Sequence, residues 1–261
     1  MNDAQINKSR ALYYAMFSRF FVFSSDNRRY FELLNLLNIL KDNPMDSTTG
    51  EAFKSILSKI DSDSNVKLML EFDDIFHSPE TMTVRTTASY FDENIESGKK
   101  RVEMQNFLAK TAIRRDEKTY SDYEDHIGFI FSVLAELSEL VSEGEVQYKN
   151  TIHCIFEEIL NEFIDEFSRE LYEHESADIF KDVVVILKSF MTFERLYLEV
   201  SEYTPTAKPV EMHKEEEISE EEAARRARNK ALRASGSKFK DGDDESCPVF
   251  VAYEVEDDIE E

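Results

Sequence analysis

Glycine and proline are scarce in this chain of 261 residues, which contains 6 of the first and 5 of the second. Average usage would be about 7% and 5%. β-Sandwiches and barrels need glycine at many of their turns, and doubly wound α/β folds need it where strands lead into helices. The scarcity therefore disfavours both fold classes and predicts an all-α protein.

Cysteine is equally scarce, because the chain has only Cys154 and Cys247 and neither lies in a CxxC pair. Two cysteines are too few for a disulfide framework, which favours a reducing compartment. The N-terminal sequence lacks the apolar core of a secretory signal, and no run approaches the length of a membrane span. We therefore expect a cytoplasmic protein without stable membrane insertion.

Positive charge is outnumbered, with 31 Lys and Arg against 55 Asp and Glu and a formal net charge of −24. Such a field repels nucleic-acid backbones and anionic membranes. The charge therefore predicts no nucleic-acid partner and favours partners that present basic segments.

Apolar residues recur at helical spacing through most of the first 203 residues. The clearest stripes cover residues 127–141, 152–171 and 179–200. Residues 80–93 lack this period and are rich in threonine, so we expect a long ordered loop there. We predict an N-terminal helical subdomain over residues 1–117 and a C-terminal one over residues 118–203, joined by a hinge.

Residues 204–261 form a charged tail of different composition, with 9 Lys and Arg and 17 Asp and Glu. A proline-containing start prevents the preceding helix from continuing. The centre of the tail has few large apolar residues, so we expect a marginal helix flanked by disorder.

The common catalytic signatures are missing, including phosphate-binding glycine loops, HExxH and GxSxG. A di-iron helical bundle needs two Glu-x-x-His pairs, and no histidine here has glutamate three residues before it. We therefore predict no metal and no cofactor in this chain.

Two segments nevertheless differ from a simple helical background, one over residues 70–91 and one over residues 120–129. In the second, Ser121 and Glu124 have the spacing of a capping box. Capping alone does not require His126, or Gly128, which costs about 1 kcal/mol in a helix relative to alanine. Glycine there indicates close approach of another backbone or of a ligand.

The two segments together resemble the TorD/DmsD/NarJ family of redox-enzyme maturation chaperones. The resemblance covers about residues 5–203 and lies in the Ile75-Phe76 pair, Pro79, the Ser89-Tyr90 loop and the Glu-Asp-His-Ile-Gly sequence at 124–128. The family's hinge motif reads Glu-Pro-x-Asp-His, and Asp125 and His126 match its last two positions. Asp122 and Tyr123 stand where glutamate and proline are expected, which makes this chain a divergent member.

The resemblance implies a cytosolic chaperone that binds the twin-arginine leader, or another segment, of a molybdoenzyme precursor. Such a chaperone holds its client for cofactor insertion before export, and formate dehydrogenase is one candidate client. The resemblance also implies a monomer or a domain-exchanged dimer. The implied client-binding residues are Phe72, Ile75, Phe76, Ser89, Tyr90, Asp122, Tyr123, Asp125 and His126.

Two alternatives from other functional classes stay open at this point. One is a helical metal-dependent enzyme that uses Asp74, Asp125 and His126. The other is an adaptor that acts through its C-terminal tail. In the tail, Arg225, Arg226 and Arg228 lie in a basic stretch. We interpret this stretch either as a solvated charged helix or as a pseudo-ligand for the client site.

Overall fold

The computed structural model describes residues 2–22, 27–79, 82–118 and 120–204, which belong to one compact unit. Helices dominate this part of the chain, and no β-strand forms in it. A single antiparallel bridge joins Thr87 to His126. The all-α prediction is confirmed, whereas the predictions for the tail beyond residue 204 lie outside the described residues.

The helices follow the apolar stripes closely in the second half of the chain. They are α1 (Asp3–Phe21), α2 (Asn27–Asp42), α3 (Ser47–Lys59), α4 (Val66–Phe76), α5 (Ala88–Glu93), α6 (Lys99–Leu108), α7 (Ile127–Ser142), α8 (Lys149–Ile155), α9 (Asn161–Glu173) and α10 (Ile179–Leu198). None of the helices in the described ranges is long and apolar enough to cross a membrane.

The aromatic helix α1 lies at the centre of the fold, where it packs against α7 and α10. The ring of Phe17 lies 5.3 Å from that of Phe131, and the ring of Tyr14 lies 4.9 Å from that of Phe190. Burial of one such ring stabilises the fold by about 1.5–3 kcal/mol. Helices on both sides of residue 118 therefore share one core, and the division into two subdomains stays a prediction.

Gly128, in the first turn of α7, allows α1 and α7 to approach closely. A β-carbon at this position would lie 2.6 Å from Cγ2 of Val22 and 3.0 Å from the backbone of Phe21. Contacts this short require a shift of the neighbouring chain. The close approach expected from the sequence is thus made by another backbone.

Two features of the helices differ from the sequence prediction. The stretch expected to be a loop contains α5, so that expectation is wrong over Ala88–Glu93. The stripe at 152–171 is not one regular helix, because a π-helical turn at Phe156–Leu160 separates α8 from α9. Lys100 donates to the carbonyl oxygen of Glu158 within this turn at 2.7 Å, which gives the irregular backbone a partner.

Candidate functional site

The two unusual sequence segments meet at one place, which we call the motif cluster: residues 86–90 and 120–128. The amide of Ala88 donates to the carbonyl oxygen of Asp125 at 3.0 Å, and the amide of Ile127 donates to that of Thr86 at 2.8 Å. The fold therefore joins the Ser-Tyr loop to the Asp-His motif, although 36 residues separate Ser89 from Asp125 in sequence.

Asp125, in the motif cluster, is fully buried, with an exposed fraction of 0%. Its Oδ2 accepts a hydrogen bond from the amide of Ser89 at 2.9 Å, which caps the start of α5. Its Oδ1 has no hydrogen-bond partner within the described part of the chain. Burial raises the pKa of Asp125, and the hydrogen bonds from Ser89 act against that rise.

His126 is the N-cap residue of α7 and is also buried. Its Nδ1 lies 3.1 Å from the amide nitrogen of Gly128, which donates to it, and 2.8 Å from the hydroxyl of Tyr120. An accepting Nδ1 places the ring proton of the neutral imidazole on Nε2. Burial lowers the pKa of His126 to about 4, so the ring is neutral at physiological pH.

The capping box expected from Ser121 and Glu124 is not formed, because α7 begins only at Ile127 and His126 takes the capping position. Glu124 instead binds two arginines, with Nε of Arg101 at 2.8 Å and Nε of Arg115 at 3.1 Å. Burial alone would raise the pKa of Glu124, but hydrogen bonds from Arg101 and other neighbours hold it at about 2. Sequence reasoning missed this role of Glu124, since its two partners lie in a different segment.

The outer face of the motif cluster is formed by three of the predicted client-binding residues. Tyr123 is 37% exposed, and its ring lies 4.3 Å from the guanidinium of Arg101. Asp122 is exposed and Tyr90 is half-buried. The ring of Tyr90 lies 5.0 Å from the guanidinium of Arg85. Among the residues predicted to bind the client, only these three offer side chains directly to a partner.

The predicted residues on α4 lie in the core instead. Ile75 is fully buried, and Phe72 and Phe76 are nearly so. On the same helix, Oε1 of Glu71 accepts hydrogen bonds from the amides of Asp178 and Phe180 at 2.8 and 2.9 Å. The acidic residue of α4 thus caps the start of α10, and its aromatic and aliphatic residues fill the core.

The described residues contain no group of three or more His, Cys, Asp or Glu side chains placed to hold a metal ion. The metal-dependent alternative required such a group around Asp74, Asp125 and His126. In this structure, Asp125 accepts a hydrogen bond from the start of α5, and His126 accepts one from the start of α7.

Comparison with known proteins gives a match to one family over part of the chain. No curated protein sequence matches the chain significantly. A crystal structure of a protein from Archaeoglobus fulgidus assigned to redox enzyme maturation matches with 17% identity and a TM-score of 0.44, over 71% of this chain and 93% of that one. The family model described as nitrate reductase delta subunit matches residues 42–169, which include the whole motif cluster. Residues 42–169 therefore match the NarJ/TorD-like family that the sequence resemblance indicated.

Proposed function

We propose that this chain is a cytoplasmic, non-catalytic chaperone for the precursor of an exported molybdoenzyme. It binds the twin-arginine leader or another segment of the precursor and holds it while the molybdenum cofactor is inserted. The family match over residues 42–169 is the observation that carries this proposal. The net charge of −24 supports it, because a leader with two arginines is cationic.

Within the motif cluster, the exposed and buried residues have different roles in this proposal. Tyr90, Asp122 and Tyr123 contact the client from the outer face. Asp125 and His126 hold that face in place by capping two helices. The remaining residues predicted from the sequence support the cluster from the protein interior: Phe72, Ile75, Phe76 and Ser89.

Titration of the purified chain with leader peptides tests this function. We expect a leader with an arginine pair to bind several-fold more tightly than the same peptide with a lysine pair, because the planar guanidinium pairs with carboxylates through two parallel hydrogen bonds. We also expect the affinity to fall with added salt, since exposed charges are screened over about 10 Å at 0.1 M. Affinities that are equal for both peptides and independent of salt would contradict recognition of the arginine pair by carboxylates.

A further inference from the structure

A groove of about 650 Å³ runs along α7, opposite the chain segment at residues 111–114. We call it the α7 groove. Its floor and walls contain apolar side chains from three parts of the chain: Ile113, Phe129, Val133, Leu137, Leu140 and Tyr148. A volume of this size lies within the range of about 300–1,000 Å³ that is usual for binding pockets.

The rim of the α7 groove carries negative charge. Glu136 and Glu145 line it, and both are exposed. Glu139, in α7, and Glu143, directly after it, are also exposed but do not line the groove. In the described ranges, none of these four carboxylates forms an ion pair with a lysine or arginine. Glu136 and Glu145 can therefore bind a cationic partner, and Oε2 of Glu145 also accepts a hydrogen bond from Nε2 of Gln147.

One cation, Arg114, also lines the groove, but its guanidinium binds backbone carbonyl oxygens in its own part of the chain. Its Nη1 donates to the carbonyl oxygens of Leu108, Thr111 and Ile113 at 2.7, 2.7 and 2.6 Å. These bonds fix the guanidinium against the 111–114 segment. The excess of carboxylates over this one arginine still makes the rim acidic.

One end of the α7 groove adjoins the motif cluster. It begins at Phe129, whose ring lies 5.5 Å from that of Tyr120. The hydroxyl of Tyr120 in turn lies 2.8 Å from Nδ1 of His126. The groove therefore begins beside residues that contact the interior of the motif cluster.

A second, larger groove of about 780 Å³ lies between α1, α10 and the turn after α2, and it has different chemistry. Its lining includes Lys8 and Arg10 and no carboxylate. An apolar segment suits this groove, but a cationic one does not. The α7 groove differs because it combines an apolar floor with two carboxylates that form no ion pair in the described ranges.

We propose that the α7 groove binds a short segment of the client that combines an apolar run with arginine side chains. The apolar residues lie on the floor near Leu140 and Ile113, and the guanidinium groups bind Glu136 and Glu145. This inference rests on the proposed function and assigns it a binding surface that includes none of the residues predicted from the sequence.

The test uses the full chain and a fluorescent peptide with an arginine pair followed by an apolar run, measured by fluorescence anisotropy at low salt. We expect Glu136→Gln with Glu145→Gln to weaken binding about tenfold, because two close charge pairs are lost. The matched control is Glu51→Gln with Glu173→Gln, which removes the same charge at exposed sites outside the groove. We expect less than about a twofold effect from it, since only the long-range field changes.

A second pair of variants tests the apolar floor. Leu140→Ser changes a half-buried residue of the α7 groove, and Ile39→Ser changes an exposed residue of the larger groove. We expect only the first to weaken binding, with the helical circular dichroism of both variants close to that of the wild type. If the wild type binds the peptide and all variants of the α7 groove bind it equally well, this inference is wrong and the proposed function is unaffected. If no precursor segment binds the wild-type chain, both are wrong.

Discussion

Replacing Arg10 with methionine is expected to lower the free energy of unfolding by about 3–5 kcal/mol. Arg10 and Glu194 join α1 to α10 and are 2% and 0% exposed. Nε and Nη2 of the arginine lie 2.7 and 2.6 Å from the two carboxylate oxygens. Methionine removes the only cation of this pair, so the Glu194 carboxylate stays buried with the hydroxyl of Tyr14 as its remaining described donor.

A second substitution, at Glu194, tests whether the buried charge causes the loss of stability. Arg10→Met combined with Glu194→Gln removes the buried charge as well, so we expect the double variant to be more stable than Arg10→Met alone. Arg169→Met is the control, because Arg169 is 60% exposed and its pair with Glu166 contributes at most about 1 kcal/mol. Urea unfolding measures all three. A loss below about 1 kcal/mol for Arg10→Met would contradict the role assigned to this pair.

Replacing His126 with asparagine is expected to reduce the loss of stability that the protein shows in mild acid. The pKa of His126 is about 4 in the folded protein and about 6.5 in an unfolded chain. Between these values the unfolded chain binds a proton that the folded chain does not, so stability falls as the pH falls. This one group removes about 2 kcal/mol between pH 7.5 and pH 5.

Asparagine is a favourable N-cap residue, so His126→Asn keeps an acceptor for the amide of Gly128 and removes the titrating ring. The pKa of Asp125 is raised by burial and acts in the opposite sense, but both proteins contain it. His153→Asn is the control, because His153 is 39% exposed. Unfolding free energies measured from pH 7.5 to pH 5 should differ in slope between wild type and His126→Asn only. Equal slopes would show that His126 is not held neutral.

The sequence predicted the helices whose burial is one-sided and regular. The stripes at residues 127–141 and 179–200 correspond to α7 and α10 almost residue for residue. Spacing of apolar residues was sufficient there, because each helix buries one continuous face. Gly128 also correctly indicated a close contact, because glycine destabilises a helix unless a neighbour leaves no space for a β-carbon.

The interior of the motif cluster could not be predicted, because it depends on contacts between distant segments. At the start of α7, the amide of Gly128 donates to the ring of His126, and the amide of Ile127 donates to the carbonyl oxygen of Thr86. Two arginines from other segments neutralise Glu124 and remove it from the expected capping box. The π-helical turn likewise depends on Lys100, which lies more than fifty residues earlier. Local sequence contains no signal for such partners.

The central claim is that this chain holds the precursor of a redox enzyme, and co-purification from the host organism tests it most directly. The full chain is isolated under low-salt conditions, and the proteins bound to it are identified by mass spectrometry. We predict that the main partner is a molybdoenzyme precursor that still carries its leader, and that replacing the leader's arginine pair with alanine reduces its recovery. A chain recovered without any redox-enzyme precursor, from cells that produce one, would contradict the account.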